Sequence, residues 1–269
     1  MAPFELSDRV AVVTGGYGVL GGRIAEALAA AGARVAVLGR NRDAAEAKAE
    51  ALRAGGASAT ALVADVLDEA RLRAARERLL EDWGRVDILV NAAGGNLAEA
   101  RTDHVPAFGM SLPAFDQVVR LNLHGSVYPT LVFGEAMAQR KQGSIVNISS
   151  MAATQAVSGV LGYSVAKAAI ESFTRWMAVE LARRFGEGLR VNAIAPGFFV
   201  ASQNRAALLQ PDGTLTERAQ KILARTPMGR FGDPAEVQGP VLWLCSDAAS
   251  FVTGAVIPVD GGFSADSGI

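Results

Sequence analysis

The chain is poor in the residues that build metal centres, disulfide scaffolds and nucleic-acid surfaces. Of its 269 residues, one is cysteine and two are histidine. With Cys245 alone no internal disulfide can form, and a reducing, cytoplasmic setting is the expectation. In the run Val241-Leu242-Trp243-Leu244-Cys245 that thiol reads as a small buried hydrophobe. His104 and His124 have no cysteine or carboxylate cluster at ligand spacing, so no structural metal is expected. Charge of one sign is also missing: 26 basic residues against 27 acidic ones leave a net charge of -1. A nucleic-acid binder normally shows a basic face or total, and that class is set aside. The longest uncharged stretch, 143–166, has the length of a membrane span. It carries Asn147, Ser149, Ser150, Thr154, Gln155 and Ser158, too many polar groups to leave unsatisfied in hydrocarbon. Asp8 and Arg9 precede any apolar run, so no signal peptide is expected either.

What is present is an apolar half of the sequence arranged in short runs. The segments 10–13, 34–38, 59–64, 86–90, 144–148, 190–194 and 255–259 are nearly all apolar rather than alternating. That is the pattern of strands buried on both faces of a parallel sheet. Helical patterns such as 21–31, 42–54 and 68–83 lie between them. Strand and helix repeated in this way predict a single doubly wound α/β domain over 1–269, with a mostly parallel seven-stranded sheet flanked by helices. Two segments, 94–113 and 198–234, interrupt the alternation just after strands. Ligands in open α/β sheets bind beyond the carboxyl ends of strands, so both are candidate binding loops.

The first strand runs into Thr14-Gly15-Gly16-Tyr17-Gly18-Val19-Leu20-Gly21-Gly22 and then a helix. A glycine-rich turn there lets backbone approach a pyrophosphate, and the helix N-terminus offers free N–H groups. Gly15, Tyr17, Gly18, Leu20 and Gly21 are the candidate contacts of a dinucleotide. The second strand ends in Val37-Leu38-Gly39-Arg40-Asn41-Arg42, without the acid that would accept from the ribose 2′-OH of NAD. Arg40 suits a 2′-phosphate, so NADP is the preferred cofactor and NAD the alternative.

Tyr163 and Lys167, four apart, fall on one face of a predicted helix. Ser150 stands thirteen residues earlier at a strand end. A phenol titrates near pH ~10, and a neighbouring ammonium favours its ionised form. Such a tyrosine can exchange a proton with a carbonyl oxygen that the serine hydroxyl steadies.

With these residues the chain resembles the short-chain dehydrogenase/reductase family over nearly its whole length. Thr14-Gly15, Gly21, Asp65, Asn91-Ala92-Ala93-Gly94, Asn122, Ser150, Tyr163, Lys167 and Pro196-Gly197 carry the likeness. The resemblance implies a Rossmann-type domain with Tyr163 as general acid/base and Lys167 holding the nicotinamide ribose and lowering the tyrosine pKa. It implies that Ser150 binds the substrate oxygen and Asn122 anchors a proton-relaying water. Asp65 and Val66 would meet the adenine and Asn91 with Ala92 the adenosine ribose. Gly94 would leave room for the cofactor, and Pro196-Gly197 would turn past the nicotinamide. Two positions depart from the pattern: Val19 stands where the middle loop glycine is usual, with Gly18 displaced by one residue, and Ala201 replaces a threonine, so that either Ser202 substitutes or that hydrogen bond is missing.

A narrower likeness is to the D-mannonate oxidoreductase or fructuronate reductase-like subgroup. It rests on Gly94-Gly95-Asn96, Asn192 to Phe199, Gln203-Asn204-Arg205, Thr216-Glu217-Arg218, Thr226 to Gly232 and Asp260 to Ser264. It implies a sugar acid as substrate, whose carboxylate needs a cation and whose hydroxyls need polar partners. The region about 198–233 is the expected substrate loop, with Arg205 its carboxylate ligand. Arg218, Lys221, Arg225 and Arg230 follow further on. Asn96, Arg101 and His104 come from the other loop, and Gln155 follows the serine; of these, Asn96, Gln155 and Arg205 are the substrate candidates. Rival readings are a reductase of a 3-oxoacyl thioester, steroid-like ketone or polyol, and a non-catalytic nucleotide sensor or scaffold. The mixed, arginine-bearing loop favours a small anion, and retention of Tyr163 and Lys167 favours an enzyme. The family habit implies a homotetramer or homodimer, formed through 126–137 and 168–181.

Overall fold

The computed structural model describes residues 4–102, 105–201 and 204–267. Seven strands form one sheet: β1 (Val10–Thr14), β2 (Arg34–Gly39), β3 (Ala59–Val63), β4 (Ile88–Asn91), β5 (Gly143–Ile148), β6 (Leu189–Pro196) and β7 (Val256–Val259). Their order is β3-β2-β1-β4-β5-β6-β7, and every pairing is parallel. The helices are α1 (Val19–Ala30), α2 (Arg42–Ala54), α3 (Glu69–Trp83), α4 (Leu112–Val119), α5 (Gly125–Arg140), α6 (Leu161–Phe185), α7 (Arg205–Leu208), α8 (Glu217–Ala224) and α9 (Gln238–Cys245).

Alternate residues of each strand serve opposite faces, so an unbroken apolar run fills two cores at once. Ala11, Val13, Val35, Val37, Ile88 and Val90 pack under α1, α2 and α9. Val10, Val12, Ala36, Leu38, Leu89 and Ile145 pack under α3, α5 and α6. Cys245 belongs to the first core, where burial pushes its thiol up to about 12 and makes it structural. Local signals set the helix ends. Asn41 and Asp68 accept from the backbone of Ala44 and Arg71 to cap α2 and α3, and Gly84, at φ 74°, stops α3 in the left-handed region.

The expected strand at 86–90 begins later, at Ile88. Asp87 is buried, with its carboxylate taking the N–H of Val10 at 2.9 Å and the guanidinium of Arg85. The interruption at 94–113 holds two single 3-10 turns, and that at 198–234 folds α7 and α8 over a small core of Leu208, Ala219 and Ile222. Strand order reverses between β1 and β4, which opens a crevice at their carboxyl ends.

Beneath that crevice lies a buried polar chain. Asn91 Nδ2 donates to Asn147 Oδ1 at 2.8 Å and to Thr130 Oγ1 at 2.9 Å. Asn147 Nδ2 donates to Thr174 Oγ1 at 2.9 Å, tying β4 and β5 to α5 and α6. Unpairing buried polar groups costs more than a hydrogen bond contributes. Asn147→Leu is therefore expected to lower the unfolding free energy by about 1–3 kcal/mol in a urea titration. A change below about 0.5 kcal/mol would show the chain to be dispensable.

Candidate active site

β5 ends at Ile148 and delivers Ser149 and Ser150 to the crevice. Ser150 is extended (φ -165°, ψ 152°), and its Oγ accepts from the N–H of Ala152 at 3.2 Å. α6 starts at Leu161, and its first turns bring Tyr163 and Lys167 over this strand end. Lys167 is 4% exposed, and its Nζ donates to the carbonyl of Ile148 at 2.7 Å. The same Nζ lies 5.3 Å from the centre of the Tyr163 ring. One turn on, buried Glu171 accepts from Ser149 Oγ at 3.1 Å and from Arg175 at 3.1 Å. Two contacts thus clamp 148–150 against the helix that carries the phenol.

Burial pushes the Lys167 ammonium down to about 8, so its charge is held below that pH and lost above it. Burial also raises the Tyr163 phenol, while its hydrogen bond with Ser150 pulls the other way. Removal from water outweighs that hydrogen bond.

Asn122 sits fully buried in a π-helical turn, Arg120–His124, between α4 and α5. Its Nδ2 donates to the carbonyls of Gly95 (2.6 Å) and Val118 (2.9 Å), and its Oδ1 accepts from the N–H of Gly95 at 3.1 Å. A Cβ on Gly94 would lie 2.6 Å from Asn122 Oδ1 and 3.5 Å from Lys167 Nζ, so only glycine fits between them. His124 stacks on Tyr128 at 5.3 Å, whereas His104 lies outside the described residues.

The phosphate loop keeps its tight form despite Val19. Gly15 has φ 61°, and a Cβ on Gly21 would lie 2.4 Å from the Gly15 carbonyl oxygen. Gly18 is the N-cap of α1 and offers no side-chain cap, so the first-turn amides remain available to a phosphate. This cradle fits a dinucleotide. Gly15, Gly18, Leu20 and Gly21 line a cleft of about 500 Å³. Ala92 and Gly94 after β4, and Pro196 and Gly197 after β6, line it further along with Ser150, Tyr163 and Lys167.

Other expected residues take different places. The Asn91 side chain donates through Nδ2 to the polar chain beneath the sheet. Tyr17 and exposed Arg40 stand at the end of β2. Asp65 and buried Val66 follow β3, where Asp65 Oδ1 takes the N–H of Leu67 at 2.9 Å.

On the substrate side, Asn96 lines the cleft, with its Oδ1 accepting from the N–H of Leu97 at 3.0 Å. Arg205 does not line it: α7 starts there and leaves the side chain exposed. Its neighbour Asn204 turns inward instead, bonding the carbonyl of Phe199 and the N–H of Ala201. Gln155 lies in an adjoining cavity and donates to the Ser264 carbonyl at 3.4 Å. The arginines that line the cleft are Arg101 and Arg218. Arg218 donates to Ser158 Oγ (3.2 Å) and to its carbonyl (3.0 Å). Helical spacing marked it, since Arg218 shares a face with buried Ile222, whereas Glu217 and Lys221 pair on another. Gln203 and Ser202 lie outside the described residues.

Residues 18–264 match the family model described as Enoyl-(Acyl carrier protein) reductase. The chain is 44% identical to the uncharacterized oxidoreductase UxuB of Bacillus subtilis, over 98% of each. It superposes with TM-score 0.93 on a candidate D-mannonate oxidoreductase from Haemophilus influenza with bound NAD, 40% identical over 98% of each chain. A candidate NAD(P)-dependent gluconate 5-dehydrogenase from Beutenbergia cavernae with bound NADP gives 0.87 at 40% identity, over 98% of this chain and 100% of that one.

Tyr163→Phe removes one hydroxyl and nothing else from this site. Turnover is expected to fall about 10²–10⁴-fold with dinucleotide affinity retained in a binding titration. A near-normal rate would remove Tyr163 from the chemistry.

Proposed function

The chain belongs to the short-chain dehydrogenase/reductase family, and on that premise we propose that it interconverts a keto sugar acid and its alcohol, of the D-fructuronate/D-mannonate kind, with NADP(H) preferred. It is an NAD(P)-dependent oxidoreductase acting on CH–OH groups. Bound nicotinamide supplies or takes the hydride. The chain's own residues handle the proton and the oxygen. The Ser150 hydroxyl and Tyr163 phenol meet at one point of the cleft, where they can hold a carbonyl oxygen between them. In reduction Tyr163 gives its proton to that oxygen, and in oxidation it takes the proton back. Lys167 is held by Ile148 below the tyrosine, and Asn122 is fixed beside it across Gly94.

The observation that supports the acidic substrate is the pair Arg101 and Arg218, two arginines among the residues lining the cleft that contains Ser150 and Tyr163. A carboxylate is the group that such planar donors recognise best. Asn96 supplies a polar partner for hydroxyls. The hydroxyls of a neutral polyol and the chain of a long acyl group make weaker use of such donors than a carboxylate does, which disfavours those substrates. A nucleotide sensor has no use for the Ser150, Tyr163 and Lys167 set. The lobe over 198–233 acts as the substrate-binding cover. Arg40, exposed where an acid would exclude a 2′-phosphate, supports NADP(H).

Exposed apolar side chains on the two expected helices support assembly into a homotetramer or homodimer. Leu131 of α5 and Trp176 and Val179 of α6 are 56%, 62% and 50% exposed. A lone buried cysteine suits a cytoplasmic setting, and no helix among the described residues is long and apolar enough to cross a membrane.

Arg218→Gln is expected to raise the KM for D-fructuronate at least about tenfold, with little change for an uncharged ketone, whereas Arg205→Gln changes neither. Steady-state kinetics decide it. The reverse result would move the carboxylate site to α7.

A further inference from the structure

β2 ends at Gly39, and the absence of a side chain there has a visible reason. A Cβ on Gly39 would lie 2.2 Å from Cε1 of Tyr17 and 2.8 Å from both its Cζ and Oη. The ring, borne by the phosphate loop, fills the space that any side chain at position 39 would need. It is half-buried and packs against the core beneath α1 and α2. Its Oη accepts from the N–H of Asn41 at 3.3 Å.

In dinucleotide folds the end of the second strand reads the ribose 2′ position, and an acid there binds a 2′-hydroxyl and repels a 2′-phosphate. Here a neutral phenol occupies that ground. Its oxygen is engaged by Asn41, which leaves the phenol proton to donate. A single donor serves a hydroxyl or a phosphate oxygen, but the bond to the charged acceptor is the stronger. Arg40 and Arg42 are exposed on the turn that follows and add positive charge.

We propose that Tyr17, standing over Gly39, is the specificity-determining residue of the cofactor's 2′ end. Its phenol donates to the 2′ substituent, and its ring keeps an acidic side chain out of position 39. The inference rests on the NADP(H) reading above. It adds a coupling, because the two positions share one volume and cannot both carry a side chain there.

The test is a set of dissociation constants for NADPH and NADH, from calorimetry or fluorescence quenching, without turnover. Tyr17→Phe keeps the ring and loses only the hydroxyl. It should raise the NADPH constant about tenfold and the NADH constant less than about threefold. Gly39→Asp should displace the ring and favour NADH. In that background Tyr17→Phe should change the NADPH constant less than about twofold. An unchanged NADPH constant for Tyr17→Phe, or an equal loss for both dinucleotides, would overturn the assignment. So would a full tenfold effect persisting beside Gly39→Asp. Equal affinity of the unmodified protein for both dinucleotides would defeat the NADP(H) preference alone, while the Tyr17→Phe comparison would still decide the role of Tyr17.

Discussion

The bond from the Lys167 ammonium to the Ile148 carbonyl is the constraint on which the site depends. It fastens α6 to the carboxyl end of β5, and those two elements carry the phenol and the serine. Burying a lysine is unfavourable, and the depressed ammonium pKa records that. The position persists because the parallel sheet beneath is anchored on both faces and by the polar chain from Asn91 to Thr174. Ser149 and Glu171 supply a second fastening one turn further along. Rigid strands therefore decide where a flexible side chain can reach.

The cleft divides by chemistry along its length. At the glycine-rich end, backbone amides and the open start of α1 suit a pyrophosphate. In the middle, neutral hydroxyls stand beside a buried cation. At the far end Arg101, in the segment after β4, and Arg218 of α8 bring positive charge. A substrate with a carbonyl at one position and a carboxylate at another would satisfy the last two regions together.

Much of this was legible in the sequence, because the signals were local. The seven apolar runs became seven strands, and the segment 42–54 became α2 at those bounds, since Asn41 caps it. Strand-end and helix-face rules pointed to Ser150, Tyr163 and Lys167, whereas Asn122 was implied by the family resemblance alone. The placement of loop side chains was less legible. Arg205 and Gln155 were chosen by proximity to a motif, but whether a loop side chain faces in or out depends on the turn that carries it. Asn204 folds the chain at α7 and leaves Arg205 outside, while the packing of Ile222 turns Arg218 inward. The bracing role of Asn91 was not legible, because its partners Asn147 and Thr130 are distant in sequence. The role of Gly39 was hidden for the same reason, since its neighbour Tyr17 lies on another loop.

The measurement that bears most directly on this account is oxidation of NADPH and NADH, followed by absorbance, with D-fructuronate and uncharged ketoses of similar size. Turnover of D-fructuronate far exceeding that of every uncharged ketose is the result predicted, faster with NADPH than NADH at limiting cofactor. Turnover of the uncharged ketoses with none of D-fructuronate would contradict the acidic substrate and the purpose assigned to Arg101 and Arg218.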